Sequence, residues 1–457
     1  MDAETPFKVI IIGAGVTGLT LAHCLAKAGI DYVLLDKGVV APPFGTTITM
    51  QPHGCRILHQ LGCLDSVLNT TSIMGGAYCR DPSGSSYTHN DFFGVVRANA
   101  GYDTRTIDRQ QFLQILYEHL PDQSKVYQRA RVEGVTEENS KVHVRLADGK
   151  TFTGDLVVGA DGVHSMMREI MWEKANSAVP GMIPSQEKRE DQQCTWPTRR
   201  KYTEADMEKL AAKLAGYPIN ETVVFGELWK NKIKAQMISL EEGSIAGQTG
   251  LTQDDYSSMQ VTPNSALGGN TAMEDAVVIA NALHGALAAH PSKKPTDVEI
   301  RDAMQQYQDS RIGRVRAIVK AGGDLTRLQA YDGWKFYMTQ RWLTPLIGLD
   351  RLAMNIAVLC AGAPKLSYVQ FDEQRGRLGW QDTLAAAAST SGREEKHSAW
   401  GEWPGDFESA SPKIFGALGV LSVAIWAFLL AASHSHVPGF GRYLGPISLN
   451  ATSSAMV

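Results

Sequence analysis

"FKVIIIGAGVTGLTLAHCLAKAGIDYVLLDK", Phe7 to Lys37, decides the fold. Val9 to Ile12 fits a short buried strand, Thr17 to Lys27 a helix, and Tyr32 to Leu35 a second buried strand. Between the first strand and the helix stand Gly13, Gly15 and Gly18. In a β-α-β unit each glycine of such a triplet has its own task. The first makes a tight turn, the second lets backbone approach a pyrophosphate, and the third lets helix pack on strand. The helix N-terminus then turns its free N–H groups towards the phosphates. Asp36 closes the second strand, 18 residues after Gly18, where a carboxylate can accept from ribose hydroxyls. The triplet alone is a weak signal. Strand, helix, second strand and terminal acid together read as a dinucleotide site, against the alternative of a glycine-rich turn with no ligand.

The chain of 457 residues has room for two or three cores, and its 44% hydrophobic and 20% charged residues are ordinary for a globular protein. A formal net charge of −4 gives no footing for a nucleic-acid partner. Cys24, Cys55, Cys63, Cys79, Cys194 and Cys360 form no C-x-x-C pair, which favours reduced, mostly buried thiols over a disulfide framework. The histidines show neither zinc spacing nor H-E-x-x-H, so no metal site is expected. The N-terminal apolar run ends in a glycine turn rather than a cleavage site, unlike a signal peptide.

Further along, Arg105 to Leu120 reads as a helix, with Asp108 and Gln111 spaced as a capping box. Arg109 falls in its first turn, where the helix dipole disfavours a cation unless an anion is near; pairing with Asp108 at the surface is the alternative. Val142, Val144 and Leu146 alternate as a strand, and Leu156 to Val158 is another buried strand leading to Asp161-Gly162. Pro184 to Lys201 reads as loop, Tyr202 to Leu214 as helix, and Glu221 to Leu240 as strand-like pieces. Gly268 and Gly269 make a turn that opens a helix over Thr271 to Leu287, with Thr271 and Glu274 as its capping box. Long amphipathic helices fill Glu299 to Ala361, and residues 384–411 are an Ala/Ser/Gly-rich linker.

Several stretches now combine. Phe7–Lys37, "GTTITMQPHGCRILHQLG" (Gly45–Gly62), "IDRQQFLQIL" (Ile107–Leu116), "GADGVHSMMR" (Gly159–Arg168) and "TPNSALGGNTAMEDA" (Thr262–Ala276) resemble the FAD-dependent monooxygenases of the aromatic-hydroxylase type. The likeness is greatest to the fungal branch that epoxidises or hydroxylates prenylated and polyketide-derived natural products. The resemblance implies an α/β fold: a Rossmann-like FAD-binding domain in two parts, 1–175 and 246–330, around a substrate domain at 176–245, then a helical region at 331–383. It implies FAD as cofactor and NAD(P)H as a transient co-substrate. Asp36 would bind the adenosine ribose, Thr49, in the turn after the second strand, would lie beside the flavin, and Arg109 would reach the cofactor. Asp161 would stand near the pyrophosphate and ribityl chain, and Gly269 would bring a helix N-terminus to the flavin pyrimidine.

The family's Gly-Asp pair before that helix falls here on Asp255-Tyr256, so the acid at the ribityl chain is displaced by one residue or replaced by Tyr256. Only 92 residues separate Gly162 from Asp255, where the family builds a whole antiparallel substrate sheet; that sheet is expected to be truncated, and no catalytic residue can be named. The rival reading is therefore a flavin-binding or flavin-free non-oxygenase, such as a pathway cyclase or isomerase, or an inactive truncated relative.

Ile414 to Ala432, "IFGALGVLSVAIWAFLLAA", holds 19 residues without a charge. As a helix it covers roughly 28 Å, close to the hydrocarbon thickness of a bilayer. A single C-terminal transmembrane helix at 412–434 is expected, against the alternative of a helix packed into the body. Arg393, Lys396 and Lys413 precede it and Arg442 follows, which places the flavin body on the cytosolic side. The membrane and a lipophilic small molecule are the expected partners.

Overall fold

β1 (Lys8–Ile12), α1 (Val16–Lys27) and β2 (Asp31–Leu35) form the β-α-β unit, its strands parallel with Ile10 opposite Val33 and Ile12 opposite Leu35. The strand Leu156–Gly159 pairs parallel with the other edge of β1, and Val126–Tyr127 with the far edge of β2. β1 is thus internal to the sheet, and Val9, Ile10 and Ile11 are fully buried. Burying each such side chain stabilises by ~1.5–3 kcal/mol, which is why an unbroken apolar run fits a strand covered on both faces. Val9 and Ile11 pack into a core with α1 and the helix Gly268–Ala288. Ile10 and Ile12 point the other way, onto a three-stranded antiparallel sheet of Val132–Glu138, Lys141–Leu146 and Thr151–Gly154.

The computed structural model describes residues 6–43, 45, 47–81, 83–162, 165–182, 203–232, 266–290 and 294–384. Tyr256 and Asp255, the loop expected at Pro184–Lys201, most of the linker and the run Ile414–Ala432 lie outside these residues. Among the described residues no helix is long and apolar enough to cross a membrane. The five described cysteines are free, and four of them are buried.

Three local readings need correction. Arg105–Asp108 is a strand, not the start of a helix; it pairs antiparallel with β3 (Thr47–Met50), and the helix runs over Arg109–Glu118. Arg105 and Ile107 are buried while Asp108 is exposed, a period of two too short to stand out before a strong helical pattern. Thr49 accordingly sits within β3 rather than in a turn. Third, Phe225–Lys230 is helical, with Phe225 and Trp229 stacked one turn apart, although Val223 and Val224 favour a strand. Of the strand-like pieces expected over Glu221–Leu240, residues 233–240 lie outside the described residues; among the described residues of 176–245 there is an isolated bridge, Pro218 to Val224, and no strand. The helix expected over Tyr202–Leu214 is present as Glu204–Leu214, capped by Thr203 and Asp206.

Candidate cofactor site

The three glycines differ in what holds them as glycine. Gly13 has φ +107°, and a Cβ there would stand 2.3 Å from the Ala160 carbonyl oxygen. A Cβ on Gly18 would meet the Gly13 carbonyl oxygen at 1.8 Å, so α1 packs on its own entry turn. Gly15 is different. Its φ of −81° suits any residue, and a Cβ there would meet nothing within 4 Å. Neither backbone nor packing asks for glycine at 15, and the open space above it, at the N-terminus of α1, is where a group could approach the backbone closely. α1 also starts with no side-chain cap and no acid in its first turn, leaving its N–H groups and dipole free for an anion. These features fit a dinucleotide pyrophosphate.

Asp36 follows β2 and reaches back across the turn. Its Oδ2 accepts the Ala14 N–H at 2.6 Å and its Oδ1 the Gly38 N–H at 2.7 Å. A carboxylate has about four acceptor positions, so roughly half its capacity is left for ribose hydroxyls. Arg109 opens the helix Arg109–Glu118. The carboxylate of Asp108 accepts from the N–H groups of Gln110 and Gln111, and among the described residues it makes no ion pair with Arg109. Gln111 returns no bond, so Asp108 caps the helix alone. Burial pushes the Arg109 pKa down while the Asp36 carboxylate acts against that, which puts the two charges in one electrostatic neighbourhood. Gly45, at φ +130°, faces Arg109: a Cβ there would stand 3.2 Å from Arg109 Cδ.

Asp161 lies against the glycine turn: its Cα would stand 2.9 Å from a Cβ on Gly13. Its carboxylate is already engaged, accepting the Ser165 hydroxyl at 2.6 Å and the Met167 N–H at 3.2 Å. It thereby holds the start of the helix Met166–Ala178, whose N-cap is Ser165. Gly162, at φ +83°, is the glycine of an Asp-Gly turn.

Thr49 and Gly269 are brought together by a residue that sequence reading overlooked. Asn270, fully buried, donates to the carbonyls of Thr49 (2.9 Å) and Ala266 (2.8 Å) and accepts the Gln51 N–H at 2.9 Å. It fastens the first turn of Gly268–Ala288 to the junction between β3 and α2 (Pro52–Leu61). A Cβ on Gly269 would sit 3.4 Å from Ile48 Cγ2. The available signal was an amide directly after two glycines at a helix start, on a face otherwise destined for the core.

The capping box expected of Thr271 and Glu274 is absent. The helix begins at Gly268, the Thr271 hydroxyl donates back to the Leu267 carbonyl, and Glu274 is fully buried. Its carboxylate accepts from Arg311 at 2.6 Å and from Arg314 at 2.6 and 2.7 Å, while Asp275 accepts from Arg311 at 2.7 Å. Both arginines come from the helix Asp297–Ala330. Burial alone would raise the Glu274 pKa; Arg314 and Arg311 beside it hold it well below the usual carboxylate range. His53, 3.4 Å from Glu274, is lowered to about 4, chiefly by burial. The cluster is two carboxylates against two guanidinium groups, and it supports the helix end that Asn270 positions. Among the described residues no group of His, Cys, Asp or Glu could hold a metal ion.

A family model described as an FAD binding domain matches residues 6–179. FAD-dependent monooxygenase DEP2 of Fusarium langsethiae is 59% identical over 96% of this chain and 97% of its own, and DEP2 of Alternaria brassicicola is 56% identical over 96% of each. FAD-dependent monooxygenase atmM of Aspergillus flavus is 31% identical over 82% of this chain and 89% of its own. The chain belongs to the FAD-dependent monooxygenases. It is an oxidoreductase of their fungal natural-product branch. Klebsiella pneumoniae HpxO, solved with FAD and uric acid, superposes with a TM-score of 0.56 at 20% identity over 78% of this chain and 97% of that one, a likeness of fold. The alignment to the Fusarium relative runs over 506 positions, more than the 457 residues here, so that relative holds residues with no counterpart in this chain.

Proposed function

We propose that this chain binds FAD across the Gly13–Gly18 turn and uses NAD(P)H and O₂ to place one oxygen atom on a lipophilic, prenylated or polyketide-derived metabolite, by epoxidation or hydroxylation. The observation that carries the cofactor assignment is the uncapped N-terminus of α1 in the β-α-β turn, with open space above the Gly15 backbone. FAD supplies the electron transfer and oxygen activation; the protein binds, orients and shields. In this reading the N–H groups of α1 hold the pyrophosphate, Asp36 accepts from the ribose, and Arg109 balances phosphate charge. Asn270 fixes the N-terminus of Gly268–Ala288 where its dipole favours negative charge on the flavin.

The residues missing relative to the Fusarium enzyme belong, in this reading, to the middle region between Gly162 and Asp255. The charge-free run Ile414–Ala432 anchors the chain in a membrane with the flavin body on the cytosolic side, beside the supply of reduced nicotinamide. The test is the visible spectrum of the purified full chain, followed by its rate of nicotinamide oxidation with and without lipophilic substrates. Bound flavin with substrate-stimulated oxidation supports the reading. Bound flavin with no oxidation under any substrate leaves a flavoprotein that has lost the reaction, and a colourless, correctly folded protein removes the cofactor assignment.

A further inference from the structure

Residues Gly333 to Leu343 read GWKFYMTQRWL. They fold as the helix Gly333–Met338 continued by a π-helical stretch, Thr339–Leu343, and none of them is buried. Trp334 is 74% exposed, Trp342 57%, Tyr337 47% and Met338 45%. Tyr337 and Met338 lie three and four residues after Trp334, and Trp342 four after Met338, so the four share one side of the helical stretch. Single exposed apolar residues are ordinary; four large ones on one face form a patch, and such patches mark interaction sites. Lys335 and Arg341 flank it, and among the described residues neither is paired with a carboxylate. The Arg341 guanidinium lies 5.3 Å from the Trp342 ring centre and 4.9 Å from that of Tyr87, so its stem belongs to the patch.

Tryptophan and tyrosine with lysine and arginine at the margin is the chemistry of the membrane–water interface, where rings sit at headgroup level and cations meet phosphate. We infer that Gly333–Leu343 rests on the surface of a bilayer carrying anionic headgroups. The inference rests on the anchor proposed above. About 29 residues lie between the last described residue, Leu384, and Ile414, a length that can span at most roughly 100 Å. An anchored body therefore stays within reach of the same membrane. A contact too weak to hold a free protein becomes effective at the high local concentration a tether provides. Two attachments, unlike one, fix which face of the body meets the lipid from which a lipophilic substrate would come.

The test is photolabelling of the full chain, reconstituted in vesicles of phosphatidylcholine and phosphatidylserine that carry a diazirine in the acyl chain, with adducts mapped by mass spectrometry. Labelling of Gly333–Leu343 is expected at least about five-fold above that of Tyr217 and Leu228, which are as exposed but outside the patch. The K335E/R341E chain should lose several-fold of that labelling while keeping it in Ile414–Ala432. Adducts confined to Ile414–Ala432 overturn the inference and leave the anchor standing, and a patch that serves a protein partner gives this outcome. Adducts on the patch without any in Ile414–Ala432 remove the anchor but keep the surface contact. Adducts in neither overturn both.

Discussion

Asp36 Oδ2 lies 2.6 Å from the backbone nitrogen of Ala14, so the acid that ends the second strand is hydrogen-bonded to the glycine turn that ends the first. The same carboxylate also holds Gly38. It shapes the turn before it meets any ligand, and its substitution should show in two measurements. Asp36→Ala is expected to weaken FAD by about 1–3 kcal/mol and to lower stability by a similar amount, the range for charge-assisted hydrogen bonds. Flavin-fluorescence titration and urea unfolding read the two effects separately. A loss of stability with unchanged FAD affinity would make Asp36 a clamp on the turn and nothing more.

Gly15 and Gly18 should part company when each becomes valine. At Gly15 there is room for the side chain, so Gly15→Val should fold with a stability change of no more than about 1 kcal/mol, typical of an N-cap substitution. It should lose flavin, because the branched side chain fills the space of the pyrophosphate. Gly18→Val drives a Cβ into the Gly13 carbonyl and should fail to fold stably. A Gly15→Val protein that purifies with full flavin content places the cofactor elsewhere.

What the sequence disclosed follows from how local each signal is. The β-α-β unit was readable because strand, turn and helix lie within one short stretch and each glycine acts on near neighbours. Asn270 and Glu274 were not, because their partners stand far along the chain: Thr49 and Gln51 for the first, Arg311 and Arg314 for the second. Glu274 also mimicked a capping residue, since an acid three positions after a threonine satisfies that pattern whether it faces solvent or core. Arg56, buried against Trp380 with Glu373 and Asp382 as partners, was hidden for the same reason. Arg105–Asp108 was lost to the helix that follows, because four residues of alternation carry little weight beside ten of helical spacing.

Removing the charge from Glu274 leaves Arg311 buried with Asp275 and Arg314 buried with the Leu359 carbonyl. Glu274→Gln keeps the shape, so the expected loss is electrostatic, about 3–5 kcal/mol as for other broken buried ion clusters. Thermal or urea unfolding measures it. A loss below about 1 kcal/mol would mean that water or a shift of the arginines satisfies them, as happens at surface pairs.

Stability should fall in acid through two buried histidines. His53 and His23 are each lowered from 6.5 to about 4, in both cases chiefly by burial. Between those values the unfolded chain binds a proton that the folded chain does not. Their contribution is therefore fully present above about pH 6.5 and is lost as the pH descends towards 4. Between pH 7 and pH 5 the loss is about 2 kcal/mol for each histidine. Urea unfolding across that range should show the slope, and His53→Asn should remove about half of it. A slope unchanged by that variant would assign the acid sensitivity to carboxylates instead.

The anchor proposed at Ile414–Ala432 is open to a direct test. A helix of this length satisfies all its backbone groups internally, and no side chain in it needs water. A helix packed against the flavin body would do the same, so hydrophobicity alone does not separate the two. Extraction does. If the run spans a bilayer, the full chain should float with lipid and resist alkaline carbonate. A chain ending at Ser411 keeps every described residue. It should float weakly at most and be released by salt, because an interfacial aromatic patch with two cations binds reversibly. A full chain stripped by carbonate would remove the anchor, and with it the argument that substrate reaches the flavin from the bilayer. The flavin site itself would be untouched by that result, since the Gly13–Gly18 turn, Asp36 and Arg109 all lie within the described body.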